Sequence, residues 1–251
     1  MANASSHQPQ PRIAKLASLS DQVYERLRTA IIRADLQPGE KLVELDIAAQ
    51  MGTSQGPVRE ALQRLERDGL VERQARSATY VTDVSTDEMY ELFSIRSTIE
   101  GFAIRRTAQR ISPAQCADLD ALVQKMAQAG SQKDMISLAE YDMQFHRLIV
   151  EWSGSAGLLR AWTPLSSQIQ RFIVQSHPVH YPDFVEVGTR HQPIVAALRR
   201  GDAEEAAQAV QANIMLIWSR INLEQLGKSA PSLNERGMTG VIDALSYSDN
   251  K

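Results

Sequence analysis

Gly52-Thr53-Ser54-Gln55-Gly56-Pro57-Val58-Arg59-Glu60-Ala61-Leu62-Gln63-Arg64-Leu65-Glu66-Arg67-Asp68-Gly69-Leu70-Val71 is the stretch that decides how this chain is read. Gly52 stops a preceding helix, and Thr53 and Ser54 are residue types that cap the next one. Val58, Ala61, Leu62 and Leu65 then fall on one side at helical spacing, and Asp68-Gly69 closes the segment. Gln55, Gly56 and Arg59 lie on the opening turns, opposite that apolar stripe. A helix start combines partial positive charge with free N–H groups, which suits a phosphate or a base edge.

Upstream, a helix is expected from about Leu19 to Arg33, with Ser20 as N-cap and Val23, Leu27, Ala30, Ile31 and Ala34 as its apolar positions. Gln37-Pro38-Gly39 stops it, and a second helix runs from about Val43 to Gln50. Downstream, Leu70–Arg73 and Thr79–Thr82 flank Gln74–Ala78 as two strands flank a wing loop. Helix, helix, tight turn, helix and hairpin in residues 19–83 make a winged helix-turn-helix, a DNA-binding arrangement.

Beyond Asp83–Thr86 strand signals nearly vanish. Helices are expected over roughly 86–110, 113–129, 132–153, 157–176, 182–200 and 202–225, with Pro113, Gly130, Gly154, Pro182 and Gly201 at or near the breaks. The fold class is therefore mainly α: the winged helix-turn-helix followed by an all-α antiparallel helical bundle in residues 86–225. Residues 1–18 read as a disordered leader without the apolar core of a signal peptide. Residues 226–251 read as a flexible tail, in which only Val241–Leu245 has the pattern of a short helical turn.

Composition narrows the class further. A chain of 251 residues with 43% hydrophobic and 23% charged residues has material for two cores. The net charge of −3 gives no global sign of nucleic-acid affinity, so DNA binding must come from a local basic face. The single cysteine, Cys116, excludes an intrachain disulfide, fits a reducing cytoplasm and reads as a buried, inert thiol. No apolar run approaches the roughly 18 residues that span a bilayer. The expected location is cytoplasmic.

Residues 52–71 closely resemble the GntR family of regulators, whose turn and recognition helix carry Gly-x-Ser-x-x-Pro-Val-Arg-Glu-Ala-Leu. Leu36-Gln37-Pro38-Gly39-Glu40-Lys41-Leu42 is similar to the same family's Pro-Gly turn. The helical half is similar to the ligand-binding (FCD) domain of the FadR subfamily, so the resemblance covers about residues 19–225. It implies a DNA-binding transcriptional regulator, read as a repressor, that is controlled by a small-molecule effector and acts as a homodimer on a palindromic operator. The DNA-contacting residues are then Thr53, Ser54, Gln55, Gly56, Arg59, Arg73 and Arg76. Arg59 has the geometry to take guanine O6 and N7; the alternative is that it pairs with a nearby acid. Many family members have Arg where this chain has Gln55, and Gln reads adenine better. Arg73 and Arg76 in the wing are phosphate or minor-groove contacts, or solvated charges. Arg64 and Arg67 are phosphate-facing or simply exposed.

The helical half places polar residues on apolar stripes. Asp142 shares a 4-3-4-3 stripe with Leu138, Phe145, Ile149 and Trp152, and His146 is its i+4 neighbour. His191 lies with Ile194 and Leu198, Asn213 with Ala206, Val210 and Ile217, and Arg96 with Leu92, Ile99 and Ala103. Buried charges without partners cost several kcal/mol, so these groups should converge on one another, a metal or a ligand in a polar interior site. Asp142, His146 and His191 are ligand types for Zn²⁺, Ni²⁺ or Fe²⁺. The family's metal-binding branch implies the same three and a fourth His, where this chain has Asn213. In the alternative, metal-free reading, His146, His191 and Asn213 hydrogen-bond the effector directly. Arg96 matches a pocket-facing Arg of the family and would pair with a carboxylate, which points to an organic acid. Two histidines and a carboxylate also occur in non-haem iron oxygenases, but on β scaffolds; nothing here has that pattern, and the chain is read as a non-enzyme.

Overall fold

The structure is a computed structural model and describes residues 17–74, 78–83 and 85–221. The N-terminal unit is a winged helix-turn-helix. It comprises α1 (Leu19–Ile32), β1 (Lys41–Leu42), α2 (Glu44–Met51), α3 (Gln55–Arg67), β2 (Val71–Gln74) and β3 (Ala78–Val81). Ser18, not Ser20, caps α1. Its Oγ accepts from Asp21 N at 3.1 Å, while the Asp21 carboxylate accepts from Ser18 N at 3.1 Å, a reciprocal capping box. Ser20 lies inside the helix and is buried. Gly52 ends α2 at φ 64°, a left-handed conformation that most residues avoid.

The wing gains a third strand that sequence pattern did not indicate, because two residues carry no periodicity. β1 pairs antiparallel with β3, giving the order β1-β3-β2, with Lys41 opposite Tyr80 and Val71 opposite Val81. Val23, Leu27, Ile31, Val58, Ala61, Leu62, Leu65, Leu70 and Val81 form the core beneath these elements.

The C-terminal bundle comprises α4 (Thr86–Ala108), α5 (Pro113–Ser131), α6 (Met135–Trp152), α7 (Ala156–His180), α8 (Phe184–Thr189), α9 (Gln192–Arg200) and α10 (Ala203–Arg220). The helices start where short polar side chains satisfy free N–H groups. Ser85, Ser112, Asp134, Ser155, Asp183 and Asp202 each accept from the first turn. Cys116 is buried in α5, and burial raises its pKa.

Three boundaries differ from expectation, one being α10, which ends at Arg220 rather than near 225. Residues 182–200 form two helices, α8 and α9, with the break at Arg190-His191. α7 continues through Pro178 to His180, beyond the expected end near 176. Gly130 lies one residue before the end of α5, near the expected break, and also marks a close contact. A Cβ there would come within 2.6 Å of the Phe184 backbone, and one on Gly188 within 2.8 Å of Ala127 N. Two glycines thus let α5 and α8 pack backbone to backbone.

Side chains of α7 join the two units. Arg28 of α1 donates to Ser167 Oγ at 3.1 Å and to Gln170 Oε1 at 2.5 Å. Arg171 donates to the Thr82 carbonyl at 2.8 Å. None of the described helices is long and apolar enough to cross a membrane.

Candidate functional site

The exposed face of α3 carries Gln55, Gly56 and Arg59, as its apolar stripe requires. Ser54 is the N-cap residue and is exposed, but its side chain makes no capping bond, and the Thr53 Oγ1 is buried without a partner. The expected side-chain caps are therefore absent. Arg59 is not free: its Nη2 lies 3.0 Å from Glu44 Oε2 and its Nε 3.2 Å away. Glu44 is the nearby acid of the alternative reading, set at the start of α2. Lys41, Glu44, Gln55, Arg59 and Arg73 line one cleft of about 420 Å³ between α3 and the wing.

Arg64 is only partly exposed and is engaged within the unit. It bonds Asp21 at 2.6 Å and lies 4.0 Å over the Tyr24 ring, fastening α3 to α1. Arg67 is exposed and donates to the Gln63 carbonyl. Arg76 lies outside the described residues, as do the polar leader to residue 16 and the tail from residue 222.

In the bundle, α4, α6 and the α8–α9 junction bring Arg96, Asp142, His146 and His191 together, all at most 6% exposed. Their organising residue is Glu100, which is fully buried. Its Oε1 accepts from Arg96 Nε at 2.7 Å and Trp162 Nε1 at 2.7 Å, and its Oε2 faces His146 Nδ1 at 2.5 Å. Burial alone would raise the Glu100 pKa, but the opposing pull of His146 and Arg96 brings it down to about 2. Burial likewise raises the Asp142 pKa, and His191, His146 and Arg96 outweigh it, so the net direction is down and the group is ionised.

The tautomers of the two histidines follow from their partners. The His146 Nδ1 faces the Glu100 carboxylate, and the His191 Nδ1 faces the Val187 and Gly188 carbonyls at 3.0 and 3.1 Å. All are acceptors, so both Nδ1 atoms carry protons and both Nε2 atoms present lone pairs. Those Nε2 atoms lie 3.3 Å apart and 3.9 and 3.1 Å from Asp142 Oδ1. With both rings neutral, three acceptors converge without a donor; the pull of the histidines on Asp142 requires a proton on an Nε2, and His191 Nε2 lies 3.1 Å from Oδ1. Protonating His146 instead is opposed by its burial, which lowers its pKa. The separations fit three ligands of one ion held at about 2.0–2.2 Å, so the donor set suits a divalent metal. Beside it, Asp142 Oδ2 and Arg96 Nη2 are buried without hydrogen-bond partners, 3.8 Å apart.

Asn213 does not join this cluster. α10 turns Val210, Ile214 and Ile217 inward, leaving Asn213 half-buried in an outer groove of about 570 Å³ beside Arg190 and Gln192. Two residues that sequence reading missed do join the buried surroundings. Glu100 was detectable as the i+4 partner of Arg96. His177 fell outside the expected helix, yet it is buried on the inward face of α7, as are Trp162 and Ile173. Its pKa is held down to about 4 by burial, and it feels the charges of Asp142 and Arg96.

Comparison with known proteins agrees with both halves. Residues 19–81 match the model described as bacterial regulatory proteins, gntR family, and residues 91–215 match the FCD domain. The chain is 32% identical over 194 residues to a probable D-xylose utilization operon transcriptional repressor of Paenarthrobacter nicotinovorans, covering 77% of this chain and 84% of that one. It is 25% identical over 230 residues to the gluconate operon transcriptional repressor of Bacillus licheniformis, covering 87% and 93%. The solved structure of E. coli McbR/YncC shares 25% identity with a TM-score of 0.68, over 82% of this chain and 100% of that one. With a winged helix-turn-helix joined to a helical effector-binding domain, and with these matches spanning both, the chain belongs to the GntR family of transcriptional regulators, in its FadR-type, FCD-bearing branch.

Proposed function

We propose that this regulator is a homodimeric repressor whose operator affinity is set by a small organic acid bound at the buried cluster of α4, α6 and the α8–α9 junction. The observation that carries the reading is the convergence of three acceptors, from Asp142, His146 and His191, beside an unpartnered Arg96 Nη2. Asp142, His146 and His191 would hold a divalent ion, Zn²⁺, Ni²⁺ or Fe²⁺, and Arg96 would take one carboxylate oxygen of the effector. When bound, the ion would supply a positive charge that favours a carboxylate ligand. The protein's own part is orientation: Glu100 fixes the His146 ring and the Arg96 guanidinium, and the α8 carbonyls fix His191.

At the other end, Arg59 and Gln55 read base edges, Thr53, Ser54 and Gly56 let the α3 N-terminus approach the backbone, and Arg73 contacts phosphate. The dimer reading is supported by the outer face of α4, where Ile95 and Phe102 are 49% and 60% exposed and one heptad apart. The test is fluorescence anisotropy on the chain's own upstream DNA, with metal-loaded protein titrated with organic acids. An effective acid should change operator affinity about 5- to 150-fold, the usual range of allosteric coupling, and Arg96→Gln should remove that response. Operator binding unmoved by every acid, or a response retained in Arg96→Gln, would contradict the reading.

A further inference from the structure

We propose that Leu45 is a specificity-determining residue of DNA recognition, which packs on the C5-methyl group of a thymine beside the base edges met by α3. The inference rests on the reading of Gln55 and Arg59 as base-reading residues. Its own basis is a contact and a cleft. Glu44, the first residue of α2, accepts from Arg59 Nη2 at 3.0 Å and from its Nε at 3.2 Å, so the start of α2 is set against the exposed face of α3. Leu45 follows directly, and it lines the same cleft of about 420 Å³ as Lys41, Gln55, Arg59 and Arg73.

Leu45 stands there against local preference. Ile47 and Ala48 turn into the core beneath α2, which leaves Leu45, about 200° from Ile47 around the helix, on the opposite side. Leu45 is 61% exposed and Val43 beside it 37%. Val43 also occupies the N-cap of α2 and makes no side-chain capping bond, where Ser, Thr, Asp or Asn would satisfy a free N–H. A single exposed leucine is ordinary. Two large apolar side chains at an uncapped helix start, both lining the cleft that holds Gln55 and Arg59, mark a place where function overrides local rules.

The chemistry of the cleft selects what the leucine meets. Lys41, Arg59 and Arg73 outnumber Glu44, so the cleft suits a polyanion, yet Val43, Leu45 and Ala78 give it an apolar strip. A phosphate gains nothing from such a strip. Along the major groove, the apolar group that a base pair offers is the C5-methyl of thymine, and apolar side chains read it. Leu45 thus adds a thymine to the bases read by Gln55 and Arg59.

The experiment uses the full chain and a duplex that it enriches from a random-sequence library, with affinities read by anisotropy at fixed salt. Each thymine of that duplex is replaced in turn by deoxyuridine, which removes the methyl group and nothing else. In wild type at least one replacement should weaken binding about fourfold, the effect of one buried methyl group. Leu45→Ala should bind the thymine and deoxyuridine duplexes equally. Leu45→Met, which keeps an apolar side chain, should retain part of the difference. With Arg59→Ala weakening the same duplex, absence of any methyl effect in wild type, or its persistence in Leu45→Ala, overturns the role of Leu45 alone. Enrichment of no sequence, or affinity unchanged in Arg59→Ala, overturns the base-reading role of α3 and the role of Leu45 with it.

Discussion

Arg59 is paired with Glu44 before DNA arrives, so operator binding replaces one partner by another. The Arg59 side chain is 56% exposed, and an exposed ion pair contributes only about 0–1 kcal/mol. A guanine contact contributes about 1–3 kcal/mol of discrimination. With Arg59 on guanine as proposed, the base outcompetes Glu44, which would then act as a holder that limits non-specific attraction. Glu44→Gln should tighten operator binding by up to about fivefold, while Arg59→Ala should weaken it about 5- to 150-fold; both are measurable by anisotropy at fixed salt. Residue identity gave Arg59 and its stripe, but not Glu44, because that contact joins two helices whose angle no local pattern encodes. His177 adds a pH signature. Its folded pKa near 4 lies below the ordinary 6.5, so the unfolded chain binds the proton first. The associated stability is fully present above pH 6.5 and is lost as pH falls towards 4, in total about 3 kcal/mol. Urea unfolding of chelator-treated protein should show that decline, and His177→Phe should reduce it, leaving the share of His146, whose pKa burial also lowers.

At the scale of elements, α8 shows how a site is assembled from a packing contact. Gly130 and Gly188 bring α5 and α8 together so closely that an added Cβ would meet backbone at 2.6 and 2.8 Å. That contact fixes the Val187 and Gly188 carbonyls at the end of a short helix, where the Gly188 carbonyl also accepts from His191 N at 3.1 Å. The His191 Nδ1–H donates to them, and in doing so aims its Nε2 at Asp142. The chain break at Arg190-His191 is thus part of the site. It was not legible in sequence, since residues 182–200 keep a helical pattern and Gly188 reads as a weak helix former. By contrast, the Asp142 stripe was legible, because a carboxylate among Leu138, Phe145 and Ile149 has no place in a core without partners. Gly188→Ala should cost about 1–3 kcal/mol through overpacking and lower metal affinity about 10- to 100-fold by displacing the support of His191. Denaturant unfolding and zinc titration measure the two effects separately.

For the whole molecule, the consequential fact is that the cluster is closed while its neighbours reach the DNA-binding unit. Arg96, Asp142, His146 and His191 are 1–6% exposed, so the proposed ligand would enter only when surrounding helices part. α7 is well placed to report that movement. It bonds Glu100 through Trp162, carries His177 near the site, and meets α1 and Thr82 through Ser167, Gln170 and Arg171. The winged helix-turn-helix and the bundle could both be read from the residues, since turn chemistry and helical periodicity are local. The seam between them could not, because it depends on side chains such as Arg28 and Gln170 that are 142 positions apart. The account depends above all on the divalent cation proposed for Asp142, His146 and His191. Its most direct test is the metal content of purified full-length protein after exposure to Zn²⁺, Ni²⁺ or Fe²⁺ and exhaustive dialysis. One divalent ion per chain is predicted, lost in Asp142→Ala and His191→Ala variants that retain wild-type helicity. Wild-type protein that stays metal-free, or variants that keep the ion, would contradict it.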